Sequence, residues 1–155
     1  KEFGNDVIRA AEKALGLSAT AMTEFRDNAI ILSKAKAKHS DVLDYVGEIY
    51  QPTMIAEYRK EQLLRESGKA IGIQAPLKEK LNKFPSLVVS ALEHSPGANL
   101  KSAKGTWWGA LNAVTYVEDH LRESQTEGNA LHSAWFGAAA NRKSKALAFA
   151  MQRAA

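Results

Sequence analysis

The sequence lacks cysteine, long apolar runs and a recognisable secretion signal. With no cysteine among its 155 residues, disulfides, thiolate metal ligands and cysteine nucleophiles are all excluded. No apolar run approaches the roughly 20 residues that a bilayer-crossing helix needs, and the first residues lack the apolar core of a signal peptide. We therefore expect no membrane contact, and the cysteine-free composition fits a reducing compartment such as the cytoplasm.

Metal-binding and catalytic motifs are also missing. The HExxH motif is absent, and no two of the four histidines are spaced i,i+4, so we expect no metal site and no cofactor. Asp119 and His120 are adjacent, and neighbours on a helix point about 100° apart, so the two cannot form a hydrogen-bonded dyad. We favour a non-enzymatic protein. An enzyme with a site near Asn112, Asp119 and His120 is the weakest alternative.

The charge balance is mildly basic. Lysine and arginine total 21 against 17 acidic residues, which gives a formal net charge of +4 and a pI of about 9.3. An excess of this size permits an acidic partner such as nucleic acid without requiring one.

Helical periodicity dominates what is present. Apolar residues recur at spacings of three and four over residues 5–38, which predicts a long N-terminal helical segment that ends in the basic run KAKAKH. Ser40 and Asp41 resemble an N-cap for the next helix, which Pro52 ends. The length of the chain indicates a single domain over residues 1–155. The sequence therefore predicts an all-α, single-domain bundle of five to eight helices.

The second half continues this pattern with clearer interruptions. Residues 69–76 form a short strand-like segment that we interpret as a linker, and residues 95–105 form the clearest loop. Two short helices are expected between them, each opened by proline. Thr106 is a candidate cap for a helix from Trp107 to about Glu123, and a last helix is expected over residues 130–155, with an interruption at Gly137.

The helix that begins at Trp107 carries two stripes. Trp107, Leu111 and Val114 share one face, which we expect to be core. The second stripe predicts a polar seam, or alternatively a partner-facing surface, because aromatic side chains with polar groups suit both roles. We interpret it mainly as a seam that docks the final helix. Its candidate residues are Trp108, Asn112, Tyr116, Asp119, His120 and Trp135.

Two basic clusters are candidate nucleic-acid contacts. After Glu127 no acidic residue occurs, and the tail places lysines and arginines near Trp135 and Phe136, which is typical of nucleic-acid binding. Cations in a C-terminal helix also suit the helix dipole, so a structural role stays open. The candidate DNA-contacting residues are Lys34, Lys36, Lys38, Arg142, Lys143 and Lys145.

The segments GTWWGALNAVTYVEDHLR and SAWFGAAANRKSKALAFA resemble the C-terminal part of the phage/plasmid-like proteins, a bacterial, phage and plasmid family of unknown function. The matching positions are Gly105-Thr106, Trp108-Gly109, residues 112–115, Tyr116-Val117, Asp119-His120, Ser133, Phe136-Gly137 and Lys145. The resemblance covers about the last 50 residues. It implies that the chain is the C-terminal helical part of a longer protein.

The family resemblance supplies a context but no reaction. Residence on phages and plasmids implies DNA metabolism, including single-strand annealing or recombination. Two hypotheses follow from the residues and this context together. The first is a helical module that supports DNA binding, single- or double-stranded, or recombination-related assembly. The second is a purely structural domain that forms homo-oligomers.

Overall fold

The structure is a computed structural model that describes the backbone of residues 19–121 and 129–155 and the side chains of residues 23–120 and 137–155. Six α-helices make up most of this part, which confirms the all-α fold, and no strand occurs in it. Residues 1–18, which include the first part of the predicted N-terminal segment, lie outside the described residues. The helices are α1 (Ala19–Lys34), α2 (His39–Tyr50), α3 (Pro52–Glu66), α4 (Lys83–His94), α5 (Trp107–Tyr116) and α6 (Asn129–Ala154).

Helix α5 lies at the centre of the bundle, where it packs against α1, α4 and α6. Six of its ten residues are buried, and they lie on several sides of the helix rather than on one stripe. A helix that is apolar nearly all round is stable only when other helices surround it. The prediction that Trp107, Leu111 and Val114 form core is confirmed, since each is at most 3% exposed.

The other helices each turn one apolar stripe toward α5 or toward one another. In α2 the buried residues Val42, Tyr45, Val46 and Ile49 follow the i, i+3, i+4, i+7 spacing of an amphipathic helix. In α6 the most deeply buried positions are alanines, Ala146 and Ala150. Small side chains at a helix contact let the two backbones approach closely.

Several predicted boundaries were wrong. Helix α1 ends at Lys34, four residues earlier than expected, and α2 begins at His39 after Lys38. Pro52 opens α3 at its first position instead of only ending α2, where a missing N–H costs nothing. Residues 77–80 form only a 3₁₀ turn, and α6 passes through Gly137 without a break.

The polypeptide changes its winding directly after α5. Val117–Leu121 form a π-helical turn, a wider turn in which the side chains of Glu118 and Asp119 are re-aimed relative to an α-helix. The predicted continuous helix to residue 123 is therefore wrong beyond Tyr116. None of the described helices combines the length and the apolar character that a bilayer crossing needs.

Candidate functional site

Residues 35–38 of the run KAKAKH form an extended link between α1 and α2 instead of the predicted helix end. The Ala37 amide donates to the Gly105 carbonyl at 2.9 Å, and the Trp107 amide donates to the Ala35 carbonyl at 3.0 Å. These two bonds place Lys36 opposite Thr106 in a short antiparallel bridge. Two segments 70 positions apart in sequence are thereby fixed side by side at one end of the bundle.

Along the segment that forms this bridge, alanine side chains face the core and lysine side chains face solvent. Ala35 and Ala37 are partly buried and pack against the core, whereas Lys34, Lys36 and Lys38 are exposed. Alternation of this kind follows from the period of two in extended backbone.

The loop on the other side of the bridge adds two more lysines. Lys101 and Lys104 are both exposed and precede Thr106 by five and two residues. We refer to the five side chains Lys34, Lys36, Lys38, Lys101 and Lys104 as the lysine patch. Residues 34–40 and 94–117 contain no aspartate or glutamate, and no described ion pair involves a patch lysine.

Local backbone chemistry fixes the loop that carries Lys104. Gly105 has a φ of 71°, a left-handed conformation that glycine adopts with little strain. Thr106 then caps α5, because its Oγ1 accepts from the Gly109 amide at 3.2 Å. The predicted cap at Thr106 is confirmed.

The basic residues of the tail are placed differently from those of the lysine patch. Arg142 Nη2 lies 2.9 Å from Glu118 Oε1, and Lys143 Nζ lies 2.7 Å from Asp119 Oδ1. The Arg142 and Lys143 side chains are only 20% and 13% exposed. Carboxylates from the π-helical turn therefore compensate these two charges, whereas Lys145 is exposed.

Glu118 is fully buried, at 0% exposure. Besides Arg142 it has a second partner, since the Tyr50 hydroxyl donates to its Oε2 at 2.6 Å. Burying a carboxylate is costly unless it is paired and hydrogen-bonded. The three side chains thus connect α2, the π-helical turn and α6 in one charged contact. Arg122, which the sequence offers as an i+4 partner of Glu118, lies outside the described residues.

The end of α6 is held by a second charged network. Arg153 Nη2 lies 2.9 Å from Glu48 Oε1 and 3.2 Å from Asp44 Oδ2. Arg59 of α3 pairs with the same two carboxylates, and its hydrogen bonds to Asp44 raise its pKa. The Arg153 guanidinium also lies over the Tyr45 ring, 5.6 Å from its centre. Helices α2, α3 and α6 therefore share one ion network.

The residues assigned to the polar seam separate into different environments. Trp108 is fully buried and packs against Phe25 with ring centres 5.7 Å apart, so its placement over a polar row was wrong. Asn112 and Tyr116 are partly exposed, and His120 is exposed with its ring 5.1 Å from that of Tyr116. Asp119 contacts α6 through Lys143.

Trp135, the last residue of the predicted seam, belongs to α6, but its side chain lies outside the described residues. Among the side chains that the structure describes, no group of three or more histidines or carboxylates is arranged to hold a metal ion.

Lys101 and Lys104 are the candidate residues that the sequence reasoning missed. Their loop lacks acidic residues, and this was the available signal. Their proximity to residues 34–38 depends on the Lys36–Thr106 bridge, which no local pattern indicates.

Fold and site together define a small all-helical domain with an exposed lysine surface and charged contacts that dock its last helix. Residues 1–135 match the family model described as a domain of unknown function, DUF932, and the chain belongs to this family. The match begins well before the residues that carry the sequence resemblance and ends at Trp135. Neither a curated protein nor a solved structure shows significant similarity to the chain.

Proposed function

We propose that the protein is a non-enzymatic DNA-binding module and that the lysine patch is its contact surface. The observation that supports this most strongly is the bridge between Lys36 and Thr106. It holds side by side two distant segments that together carry five exposed lysines. A clustered positive surface on a mildly basic protein is the electrostatic footprint expected of a nucleic-acid-binding domain.

The environment of the patch strengthens the proposal. All five side chains are exposed, so their charges are available to phosphates and are not consumed by the fold. The nearest acidic residue along the chain after Lys38 is Asp41, and none follows Lys104 until Glu118. The two segments that carry the patch therefore contain no acidic side chains that would neutralise its lysines.

The tail contributes less than its sequence suggests. Arg142 and Lys143 pair with Glu118 and Asp119, and releasing them to bind a phosphate would leave Glu118 buried without its ion-pair partner. We therefore assign these two residues to docking of α6 and omit them from the DNA surface. Lys145 stays a candidate peripheral contact because it is exposed.

The biological setting we propose comes from the sequence resemblance. A phage- or plasmid-associated protein that binds DNA without a catalytic site would support recombination-related assembly. DUF932 is a family without an assigned function, so this setting depends on the resemblance and on the charge of the patch.

The test compares two triple variants of equal net charge. Lys36→Gln/Lys38→Gln/Lys104→Gln removes three charges from the patch. Lys60→Gln/Lys69→Gln/Lys78→Gln removes three exposed lysines elsewhere. Anisotropy of a labelled DNA duplex at about 0.1 M salt should show the patch variant weaker by nearly three orders of magnitude, since each lost phosphate contact costs nearly tenfold. Equal weakening of both variants would reject the patch as the site.

A second candidate function is self-association through residues 71–73. Ile71 and Ile73 are 98% and 97% exposed, and two neighbouring apolar side chains held in water are stabilised when a partner covers them. Their segment is fixed, because Arg65 donates to the Ile71 carbonyl at 2.9 Å and Gln74 donates to the Tyr58 carbonyl at 3.0 Å.

The partner we favour for this surface is a second copy of the chain. Acidic Glu66 and basic Lys69 precede the two isoleucines in the chain, and a surface with both signs can pair with itself across a two-fold axis. Light scattering across a concentration series should show mass rising above that of one chain, and Ile71→Ser/Ile73→Ser should abolish the rise. An unchanged mass in both proteins at all concentrations would reject self-association.

A further inference from the structure

The spacing of the patch lysines has a consequence for the form of nucleic acid they fit. In the extended segment after α1, residues two apart lie on the same face at about 3.3 Å per residue, so Lys36 and Lys38 are separated by about 6.6 Å at their Cα atoms. Their exposure and the partial burial of Ala37 between them show that both side chains project from the same side.

This repeat resembles that of a B-form phosphate backbone. Neighbouring phosphates along one strand of B-form DNA are separated by nearly the same distance, so successive lysines can each meet a successive phosphate. The sugar pucker of an A-form strand brings neighbouring phosphates closer together, so the lysine repeat matches that strand less closely. Alternate lysines in extended backbone therefore favour B-form DNA over an RNA duplex.

The loop across the bridge supplies a second row of charge. Bridged segments lie about 5 Å apart, and Lys104 precedes Thr106, the residue opposite Lys36. Lys104 therefore lies close to Lys36 and Lys38, and Lys101 belongs to the same loop. Two rows of ammonium groups can lie on either side of one phosphodiester strand without reaching into a groove.

The chemistry of the patch suits phosphates better than bases. Lysine carries a compact charge and lacks the planar fork with which arginine reads guanine. Single-strand binders also need exposed aromatic rings on which bases stack. Every phenylalanine, tyrosine and tryptophan side chain within residues 23–120 and 137–155 is buried or partly buried, so the described surface offers bases no fully exposed ring of these three types.

We propose that the lysine patch binds the backbone of double-stranded B-form DNA along one strand, independently of base sequence. This inference depends on the proposed DNA-binding function and adds the class of nucleic acid. In a duplex the bases are already stacked and paired, so recognition needs only charge at the right spacing. The higher charge density of a duplex also releases more counterions per contact than a single strand does.

The test measures the binding of the full chain to four labelled probes of equal length. Two are DNA duplexes of unrelated sequence, one is single-stranded oligothymidine, and one is an RNA duplex. We expect the two DNA duplexes to bind equally within about twofold at 0.1 M salt. The single strand should bind about tenfold more weakly if five contacts form. Each phosphate contact contributes about 0.9 to the slope of log K against log salt on a duplex and about 0.7 on a single strand, and at 0.1 M salt this difference over five contacts is about tenfold. The RNA duplex should bind several-fold more weakly than DNA.

The outcomes separate the inference from the function on which it depends. Equal or tighter binding of the single strand or the RNA duplex overturns the preference for B-form DNA and leaves the lysine patch as a nucleic-acid site. A tenfold preference for one DNA sequence overturns sequence independence in the same way. Absence of binding to all four probes overturns the proposed function itself, as does tight binding that persists in the patch variant.

Discussion

One buried carboxylate determines how the last helix docks. Glu118 is 0% exposed and is held by Arg142 and the Tyr50 hydroxyl. In the sequence Glu118 is only one of two adjacent acids in VEDHLR. Its burial depends on the π-helical turn, and neither charge nor apolar periodicity predicts a turn of that width.

Neutralising this carboxylate should destabilise the fold. In Glu118→Gln the Arg142 guanidinium loses its charged partner while the shape of the side chain is kept. We expect the free energy of unfolding to fall by about 3 kcal/mol. This is the lower end of the range for breaking a buried ion pair, because the Arg142 side chain retains 20% exposure. Urea unfolding followed by circular dichroism measures this. Glu93→Gln, at an exposed position, is the control, and an equal midpoint in both variants would contradict the role of Glu118.

Gly109 lies where α5 passes the preceding loop. A Cβ at this position would overlap the backbone carbonyl of Ala103, whereas a Cβ at Gly137 in α6 would meet open space. The glycine after the two tryptophans is therefore needed for close packing of the loop that carries Lys101 and Lys104.

Replacing glycine with alanine should therefore change the stability of the fold in opposite directions at these two positions. Gly109→Ala should lower the free energy of unfolding by about 1–3 kcal/mol, because the backbone of the loop must shift. Gly137→Ala should raise it by about 0.5–1 kcal/mol, because alanine restricts the unfolded chain and suits an exposed helix. Thermal melts of the two proteins compare them directly. A Gly109→Ala protein as stable as the parent would contradict the close contact with Ala103.

Among the helices, α6 is fixed to the bundle by charge at two separated points. Arg142 and Lys143 bind the π-helical turn, and Arg153 binds α2. Between them, Tyr45 donates to the Ala146 carbonyl at 2.9 Å, and burial raises the pKa of that tyrosine. The sequence suggests free basic charge in this helix because its partners are far away along the chain.

Removing the distal contact should loosen the end of α6 more than the whole fold. Arg153→Gln breaks the pairs with Asp44 and Glu48, and partly exposed pairs of this kind contribute up to about 1 kcal/mol each. Amide hydrogen exchange should show faster exchange in the last two turns of α6. Lys145→Gln is the matched control on the same helix, and equal protection in the two variants would count against the network.

The extended segment between α1 and α2 shows why the lysine patch was only half predictable. The alternation of lysine and alanine in KAKAKH fits either a helix end or an extended strand, and helical periodicity upstream favoured the first. Two hydrogen bonds to a distant segment select the extended conformation: the Ala37 amide donates to the Gly105 carbonyl, and the Trp107 amide donates to the Ala35 carbonyl. Lys36 and Lys38 were therefore correctly singled out as exposed charge, but the wrong conformation was assigned to them.

At the scale of the whole molecule, the fold class and most of the core followed from periodicity. The central position of α5 explains its dense set of large side chains, because a helix surrounded by others buries residues on every side. Because α5 lies at the centre, Trp108 is buried and does not reach the surface. The pairing of carboxylates with tail cations could not be predicted, since ion pairs across 24 positions depend on how the helices pack.

The salt dependence of duplex binding tests the central claim most directly. If all five patch lysines contact phosphates, the slope of log K against log salt should be about −4.5, and Lys36→Gln/Lys38→Gln/Lys104→Gln should reduce its magnitude by about 2.7. Such a change shows that these three lysines release counterions from DNA. Identical slopes for the parent protein and the triple variant would show that DNA binds elsewhere and would contradict the account.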